Sequence, residues 1–129
     1  MTVPERPAAP FARVFGRVVL PDGSAVSSGR LVLDPDAEHL TVSLYSGDAL
    51  VVSRTEVSLD SEGWVSSIVD GGVVRWVDVV APGDSVTPGG AWTYTVTLSV
   101  PGREWWSRHV ALTQGAVVDL ADLAPKASY

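Results

Sequence analysis

The stretch WTYTVTLSVPGREWWSRHVAL, residues 92–112, holds three of the five tryptophans of the chain and begins with a regular alternation of apolar and polar residues. The apolar positions of its first half are Trp92, Tyr94, Val96, Leu98 and Val100, and threonine or serine stands at each position between them. Successive side chains of a strand point to opposite faces. The pattern therefore predicts a strand with one buried face, to which Trp92 belongs, and a threonine face covered by solvent or by a partner.

The tandem tryptophans in the second half cannot face the same way if they also lie in a strand. Trp106 shares its parity with Val110 and Leu112, so it is expected in the core. Arg108 interrupts that face and predicts a bulge or an edge position nearby. Trp105 falls on the opposite face, together with Ser107, His109 and Ala111.

An outward tryptophan has two interpretations, and the sequence leaves both open. Trp105 either packs beneath the loop at 81–90 or the N-terminal arm, or it anchors an interface, since tryptophan is enriched at binding hot spots. A stacking platform for carbohydrate is a narrower form of the second interpretation. The candidate interface or ligand residues around it are Arg103, Glu104, Trp105 and His109.

The rest of the chain predicts short strands separated by turn signals. Beyond 92–112, these strands are expected at 11–20, 29–34, 39–45, 49–54, 55–60, 64–69, 73–80 and 116–120. No helix is predicted apart from a turn around LADLAP, residues 120–125. The spacing favours an all-β fold, a single antiparallel β-sandwich of immunoglobulin-like or prealbumin-like type with about 7–9 short strands.

Three segments follow from this organisation. Residues 1–10, with prolines at 4, 7 and 10, are expected to form an extended arm that could dock onto a neighbouring chain. Residues 11–125 form the sandwich domain, and residues 126–129 form a tail. The start of the chain lacks the continuous apolar region of a signal peptide, and no run approaches the roughly 20 apolar residues of a membrane-spanning helix.

Charge and composition exclude several functional classes. The 129 residues include no cysteine, which leaves no thiol nucleophile, disulfide or cysteine metal site. Fifteen Asp and Glu against nine Lys and Arg give a net charge of −6, so nothing favours binding to nucleic acid or to an anionic membrane.

Metal sites are not favoured by any cluster. The two histidines, His39 and His109, fall in unrelated strands. DPDAEH at 34–39 lacks the glycine of a calcium loop and is interpreted as a solvated connection between strands. DSEG at 60–63 is interpreted as a hairpin turn with Gly63 in a left-handed conformation.

Catalysis is not favoured either. Glu104 beside two tryptophans has no second carboxylate placed by the sequence to complete a glycosidase pair. No nucleophile elbow or phosphate-binding loop occurs. The chain is expected to be no enzyme and to bind no metal or cofactor. Trp64 and Trp76 are assigned to the core by default, although Trp76 shares parity with Asp78 and could lie at the rim of a core.

Two groups of motifs carry a resemblance to known families. GRVVLPDGSAVSSGRLVLDP at 16–35, followed by VSLDSEGWV at 57–65, resembles the frame of prealbumin-like and carboxypeptidase-regulatory-like modules. The segment 81–125, with Trp92, Tyr94 and Val96 and the closing VDLADLAP, resembles the C-terminal part of small modules in minor tail proteins of phages that infect actinobacteria.

The resemblance implies a non-enzymatic virion protein, assembled in the host cytoplasm, in the tail or its baseplate. Such a protein would act as an adaptor or as an adhesion module displayed at the surface, with other virion proteins as partners and a tendency to form homo-oligomers. Two alternatives stay open: a decoration or head-fibre protein of the capsid, and a carbohydrate-binding module that stacks host cell-surface glycans on Trp105 and Trp64.

Overall fold

A computed structural model describes residues 3–7, 11–20, 22–36, 41–43, 49–82, 92–100 and 103–123. At 41–43, 49–51 and 103–106 only the backbone is described. The strands in this part of the chain are β1 (Phe11–Phe15), β2 (Arg30–Pro35), β3 (Thr41–Ser43), β4 (Ala49–Val51), β5 (Thr55–Ser58), β6 (Ser67–Val69), β7 (Gly72–Val74), β8 (Trp76–Val80), β9 (Tyr94–Val100), β10 (Arg103–Val110) and β11 (Val117–Asp119). One short helix, α1 (Leu120–Leu123), follows β11.

Two sheets make up the body of the protein. The larger has four antiparallel strands in the order β10-β9-β2-β5, and the smaller has three strands in the order β11-β1-β8. In the smaller sheet β1 is antiparallel to β8 but parallel to β11. Two separate hairpins, β3–β4 and β6–β7, account for the other four described strands.

The core lies between the two sheets. In β9 the alternation seen in the sequence becomes an alternation of buried and half-exposed residues, with Tyr94, Val96 and Leu98 pointing inward. Across the core, the smaller sheet contributes alternate residues such as Val14 and Val77. The predicted all-β, sandwich-like fold is confirmed, and Trp92 is buried as expected.

The closing motif caps this core. β11 pairs alongside β1, and the first and last residues of α1, Leu120 and Leu123, are buried in the main cluster. Asp119 Oδ1 accepts a hydrogen bond from the backbone N–H of Ala121, which satisfies one of the free donors at the start of this helical turn. The turn predicted around LADLAP is therefore a single helical turn packed on the sandwich.

The structure corrects three details of the strand prediction. The strand expected at 11–20 ends at Phe15. Gly16 follows with a φ of +149° and lies against Leu120, and beyond it the chain pairs only through isolated bridges, of Arg17 with Trp64 and Val19 with Ala25. The strand expected at 73–80 divides at Arg75, where the chain leaves the β6–β7 hairpin and enters the smaller sheet. The β1–β11 pair is parallel, so the sandwich is not wholly antiparallel.

The irregularity expected near Arg108 lies elsewhere in the same strand. β10 is an edge strand, as one form of the prediction required, and the register shift falls between Glu104 and Trp106. Arg108 stays in register with Val96 and reaches beyond the edge to donate a hydrogen bond to the Leu123 carbonyl at 3.2 Å. A long arginine side chain can leave the apolar face at an edge, so no bulge is needed there.

No helix in the described part of the chain is long and apolar enough to cross a membrane.

Candidate ligand-binding groove

A groove of about 630 Å³ lies on the outer face of the smaller sheet, the face turned away from the core. This volume is within the roughly 300–1,000 Å³ that small-ligand sites commonly have. The residues that line it are Val3, Pro4, Glu5, Arg13, Phe15, Trp64, Arg75 and Trp76. They come from the N-terminal arm, from β1, and from the segments on either side of the β6–β7 hairpin.

The floor of the groove is built by alternation in β1 and β8. Ala12 and Val14 point into the core, so Arg13 and Phe15 point outward, and pairing of β1 with β8 sets Arg13 opposite Asp78 and Phe15 opposite Trp76. Arg13 Nε and Nη2 donate to the two Asp78 carboxylate oxygens at 2.8 and 3.0 Å. The Arg13 guanidinium carbon also lies 4.3 Å from the centroid of the Trp76 ring. Arg13 is thus held on two sides in a fixed orientation.

The hydrogen bonds that Arg13 donates to Asp78 raise the pKa of Arg13 above its already high ordinary value. Partial burial acts in the opposite direction, but it is the smaller effect. Arg13 therefore stays positively charged, and its charge is compensated by Asp78 on the neighbouring strand.

The side wall depends on the DSEG turn. Gly63 has a φ of +85°, as the sequence predicted, and Asp60 Oδ1 accepts the backbone N–H groups of Glu62 and Trp64 at 2.8 and 3.0 Å. These bonds fix the backbone from which the Trp64 side chain projects. Arg75 stacks against the Trp64 ring at 5.1 Å and donates to Glu62 at 2.7 Å.

The N-terminal arm forms the opposite wall. The Glu5 carbonyl accepts a hydrogen bond from Arg13 Nη1 at 2.8 Å, and Arg6 Nε donates to the Gly115 carbonyl at 3.0 Å. Pro7 is buried. The described part of the arm, residues 3–7, therefore packs against its own domain, whereas the sequence suggested docking onto a neighbour.

These contacts change the assignment of two tryptophans. Trp64 and Trp76 were expected in the core by default, but both are half-buried and neither belongs to the main core cluster. Trp76 lies at the rim, as its shared parity with Asp78 indicated. The Nε1 atom of Trp76 is buried and has no hydrogen-bond acceptor among the described residues.

The threonine face predicted for β9 lies on the outer side of the larger sheet, opposite the groove. His109 is exposed there, with Nδ1 3.2 Å from Thr95 Oγ1, and Ser107 Oγ lies 3.1 Å from Thr97 Oγ1. At the end of this face, Asp36 accepts hydrogen bonds from the Thr93 hydroxyl at 2.7 Å and the Thr93 N–H at 3.0 Å. These bonds lower the pKa of Asp36 below its ordinary value, and the charge of His109 contributes in the same direction.

Of the four candidate residues from the sequence, only His109 has a described side chain. The side chains of Arg103, Glu104 and Trp105, and that of Trp106, lie outside the described residues. So do the loop at 83–90, under which Trp105 could pack, and residues 37–39 of DPDAEH. The backbone register sets Trp106 opposite the buried Leu98, the position expected of a core residue. The inward or outward placement of Trp105 and Trp106 stays a prediction.

The groove could not be predicted from the sequence, because most of its parts are far apart in the chain. One signal was present: in FARVF, Arg13 shares a face with two phenylalanines, which is unusual for an arginine exposed to solvent alone. The pairing of that face with Trp76 and Asp78 required the register between β1 and β8, which the sequence does not specify.

The described residues include no group of three or more His, Asp or Glu side chains that could hold a metal ion. Comparisons of the chain with models of protein families, with curated proteins and with solved structures found no match.

Proposed function

We propose that the chain is a non-enzymatic structural protein of a phage virion, a component of the tail or its baseplate that acts as an adaptor or as a displayed adhesion module. The observation that carries the proposal is the resemblance to minor tail modules, together with the position of the residues that carry it. Trp92, Tyr94 and Val96 are buried in the centre of the sandwich, and the closing motif supplies β11 and α1. The residues that carry the resemblance therefore lie in the core and in the elements that close the sandwich.

A virion component must bind its neighbours, and the β6–β7 hairpin offers a surface for this. Ile68 and Val73 are paired across the hairpin, and their exposed fractions are 76% and 74%. Val69 is also exposed, at 44%. Apolar side chains grouped on an exposed hairpin are typical of protein interfaces. We assign this hairpin to contacts with other virion proteins or with further copies of the chain.

The proposal is tested on purified particles of the phage that encodes the chain. Immunogold labelling or cryo-electron microscopy is expected to place the protein at the tail or its baseplate. Labelling at the capsid would instead identify a decoration or head-fibre protein, and the absence of the chain from intact virions would refute the structural role altogether.

The hairpin gives a second, finer test. The variant Ile68→Ser/Val73→Thr changes exposed positions, so it is expected to fold normally and to be lost from particles. Arg30→Ala, a change on the outer face of the larger sheet, serves as the matched surface control and is expected to be incorporated. Equal incorporation of both proteins would show that the hairpin is not the contact surface.

A further inference from the structure

We infer that the groove between the N-terminal arm and the smaller sheet binds a neutral saccharide. The inference rests on the proposed virion role for the source of the saccharide, the surface of a host cell. The chemistry of the ligand is argued from the groove alone. Three features carry it: arginines that already have carboxylate partners, aromatic surfaces beside fixed polar groups, and a floor centred on a strand that is paired on both sides.

Both arginines of the groove already have carboxylate partners. Arg13 is bound by both carboxylate oxygens of Asp78. Arg75 is bound by Glu62 at 2.7 Å and lies 3.8 Å from Asp60. An anionic ligand would have to compete with these carboxylates, and at Arg13 it would have to displace the partner of a partly buried ion pair. A neutral ligand meets no such cost.

The groove pairs indole and phenyl surface with polar groups held in place. Trp64 and Trp76 are half-buried and each has an arginine guanidinium over its ring, while Phe15 is a buried residue at the base of the groove. A pyranose ring has an apolar face of C–H groups and a rim of hydroxyls that both donate and accept hydrogen bonds. Aromatic surfaces pack against the C–H face of the sugar, while guanidinium N–H groups and carboxylate oxygens hydrogen-bond its hydroxyls. Because these polar groups are fixed by their ion pairs, little ordering is needed on binding.

An extended peptide fits the groove less well. Peptides that bind sheets usually add a strand at a free edge, where unpaired backbone groups are available. Of the two floor strands, β1 is the central strand of its sheet and is paired on both sides. The other, β8, lies at the edge, but the backbone carbonyls of its first and last residues already accept hydrogen bonds from side chains. The groove therefore presents side chains rather than backbone partners.

The test uses the full chain on an array of neutral oligosaccharides, namely β-linked glucose, N-acetylglucosamine and mannose oligomers, α-linked glucans, galactans and arabinans. Sulfated and sialylated glycans are included as charged probes. Binding to at least one neutral glycan is expected, with little dependence on salt. Binding to none of them, or binding to the charged probes alone, would overturn the inference.

The strongest neutral glycan is then titrated by calorimetry against two variants. Arg75→Ala is expected to weaken binding about tenfold or more, since it removes the stack on Trp64. Arg30→Ala is the matched control, because Arg30 is likewise an exposed arginine paired with a glutamate but lies on the other sheet, and it should change affinity less than twofold. Trp64→Phe provides a second variant in the groove, expected to bind more weakly while keeping a ring in place.

Affinities of Arg75→Ala and Trp64→Phe equal to that of the unchanged protein would overturn the assignment to this groove. Failure here is distinct from failure of the virion role. A chain present in particles that binds no neutral glycan refutes the saccharide and keeps the structural role. A chain that binds a neutral glycan through the groove but is absent from particles supports the saccharide site and refutes the structural role.

Discussion

At the scale of single residues, Gly63 is a position where the backbone conformation and the surrounding atoms both favour glycine. Its φ of +85° is costly for any residue with a side chain, and a Cβ there would overlap the Val18 carbonyl oxygen. Gly71 has a similar φ of +80° but open space around it. A substitution at Gly71 therefore measures the cost of backbone strain alone, whereas a substitution at Gly63 adds steric overlap.

We predict that Gly63→Ala lowers the free energy of unfolding by about 3 kcal/mol or more, whereas Gly71→Ala lowers it by about 1–2 kcal/mol. Urea unfolding followed by tryptophan fluorescence measures both. Since Trp64 follows Gly63 directly, the native emission of Gly63→Ala should also shift. Equal losses in the two variants would show that the contact with Val18 relaxes without cost.

Asp36 is a residue whose contribution depends on pH. Hydrogen bonds from Thr93 lower its pKa in the folded state, so the unfolded chain binds the proton more tightly. The stabilising contribution is therefore complete above the ordinary aspartate pKa of about 4 and is lost as the pH falls through the lower, folded value. Asparagine at this position cannot ionise, so the variant lacks this dependence.

We predict that the unchanged protein is more stable than Asp36→Asn at pH 6 and that the difference shrinks steadily between pH 4 and pH 2.5. Urea unfolding of both proteins across this range gives the difference directly, and the titration of other carboxylates cancels in it. A difference that is constant with pH would mean that Thr93 does not favour the ionised form.

At the scale of elements, the Arg13–Asp78 pair joins β1 to β8 and has little solvent access, with exposed fractions of 14% and 26% for the two side chains. The Arg30–Glu56 pair joins β2 to β5 with a similar bond length but with exposed fractions of 66% and 38%. Solvent screening should make the second pair much weaker.

We predict a coupling energy of about 1–3 kcal/mol for Arg13–Asp78 and of about 0.5 kcal/mol or less for Arg30–Glu56, each measured by a double-mutant cycle to alanine. The cycle removes the separate contributions of the Arg13 stack on Trp76 and its bond to the arm. Equal coupling in the two pairs would contradict the role assigned to burial.

The elements also show what alternation along a chain can and cannot specify. β9 was predicted correctly because the alternation of apolar and polar residues along a single strand specifies which side chains are buried. The DSEG turn was predicted because Asp60 and Gly63, which form it, lie within four residues of each other. The end of β1 and the start of β8 were missed. They are set by contacts distant in sequence, such as Leu120 against Gly16, and by the change of sheet at Arg75.

At the scale of the whole molecule, the groove was not predictable from the sequence. It requires β1 to pair with β8, the arm to fold back over Arg13, and the DSEG turn to bring Trp64 alongside. The first and third bring together segments some tens of residues apart, and the register between strands fixes which side chains meet. The shared parity of Trp76 and Asp78 predicted that Trp76 lies at the rim of the core. It could not predict that this rim forms part of a groove.

The two sheets are also joined by a polar contact through the core region. Tyr94, on β9 of the larger sheet, is buried, and its hydroxyl donates a hydrogen bond to the Val80 carbonyl at the end of β8. We predict that Tyr94→Phe lowers the free energy of unfolding at pH 7 by about 1–2 kcal/mol, because the carbonyl loses its donor while packing is kept. Urea unfolding measures the loss, and retention of the native near-ultraviolet circular dichroism checks that the fold is unchanged.

The same tyrosine makes the whole sandwich sensitive to alkali. Burial raises the pKa of Tyr94 above its ordinary value, although the neighbouring Trp92 offsets part of the shift. The folded state thus keeps the phenolic proton after the unfolded chain has lost it, and the stability that depends on this proton is complete below pH 10 or so and falls as the pH rises. Between pH 9 and pH 11, the advantage of the unchanged protein over Tyr94→Phe should therefore shrink by up to about 1.4 kcal/mol per unit above pH 10. An advantage that is unchanged at pH 11 would mean that Tyr94 ionises as readily in the folded protein as in the unfolded chain, which its burial between the sheets argues against.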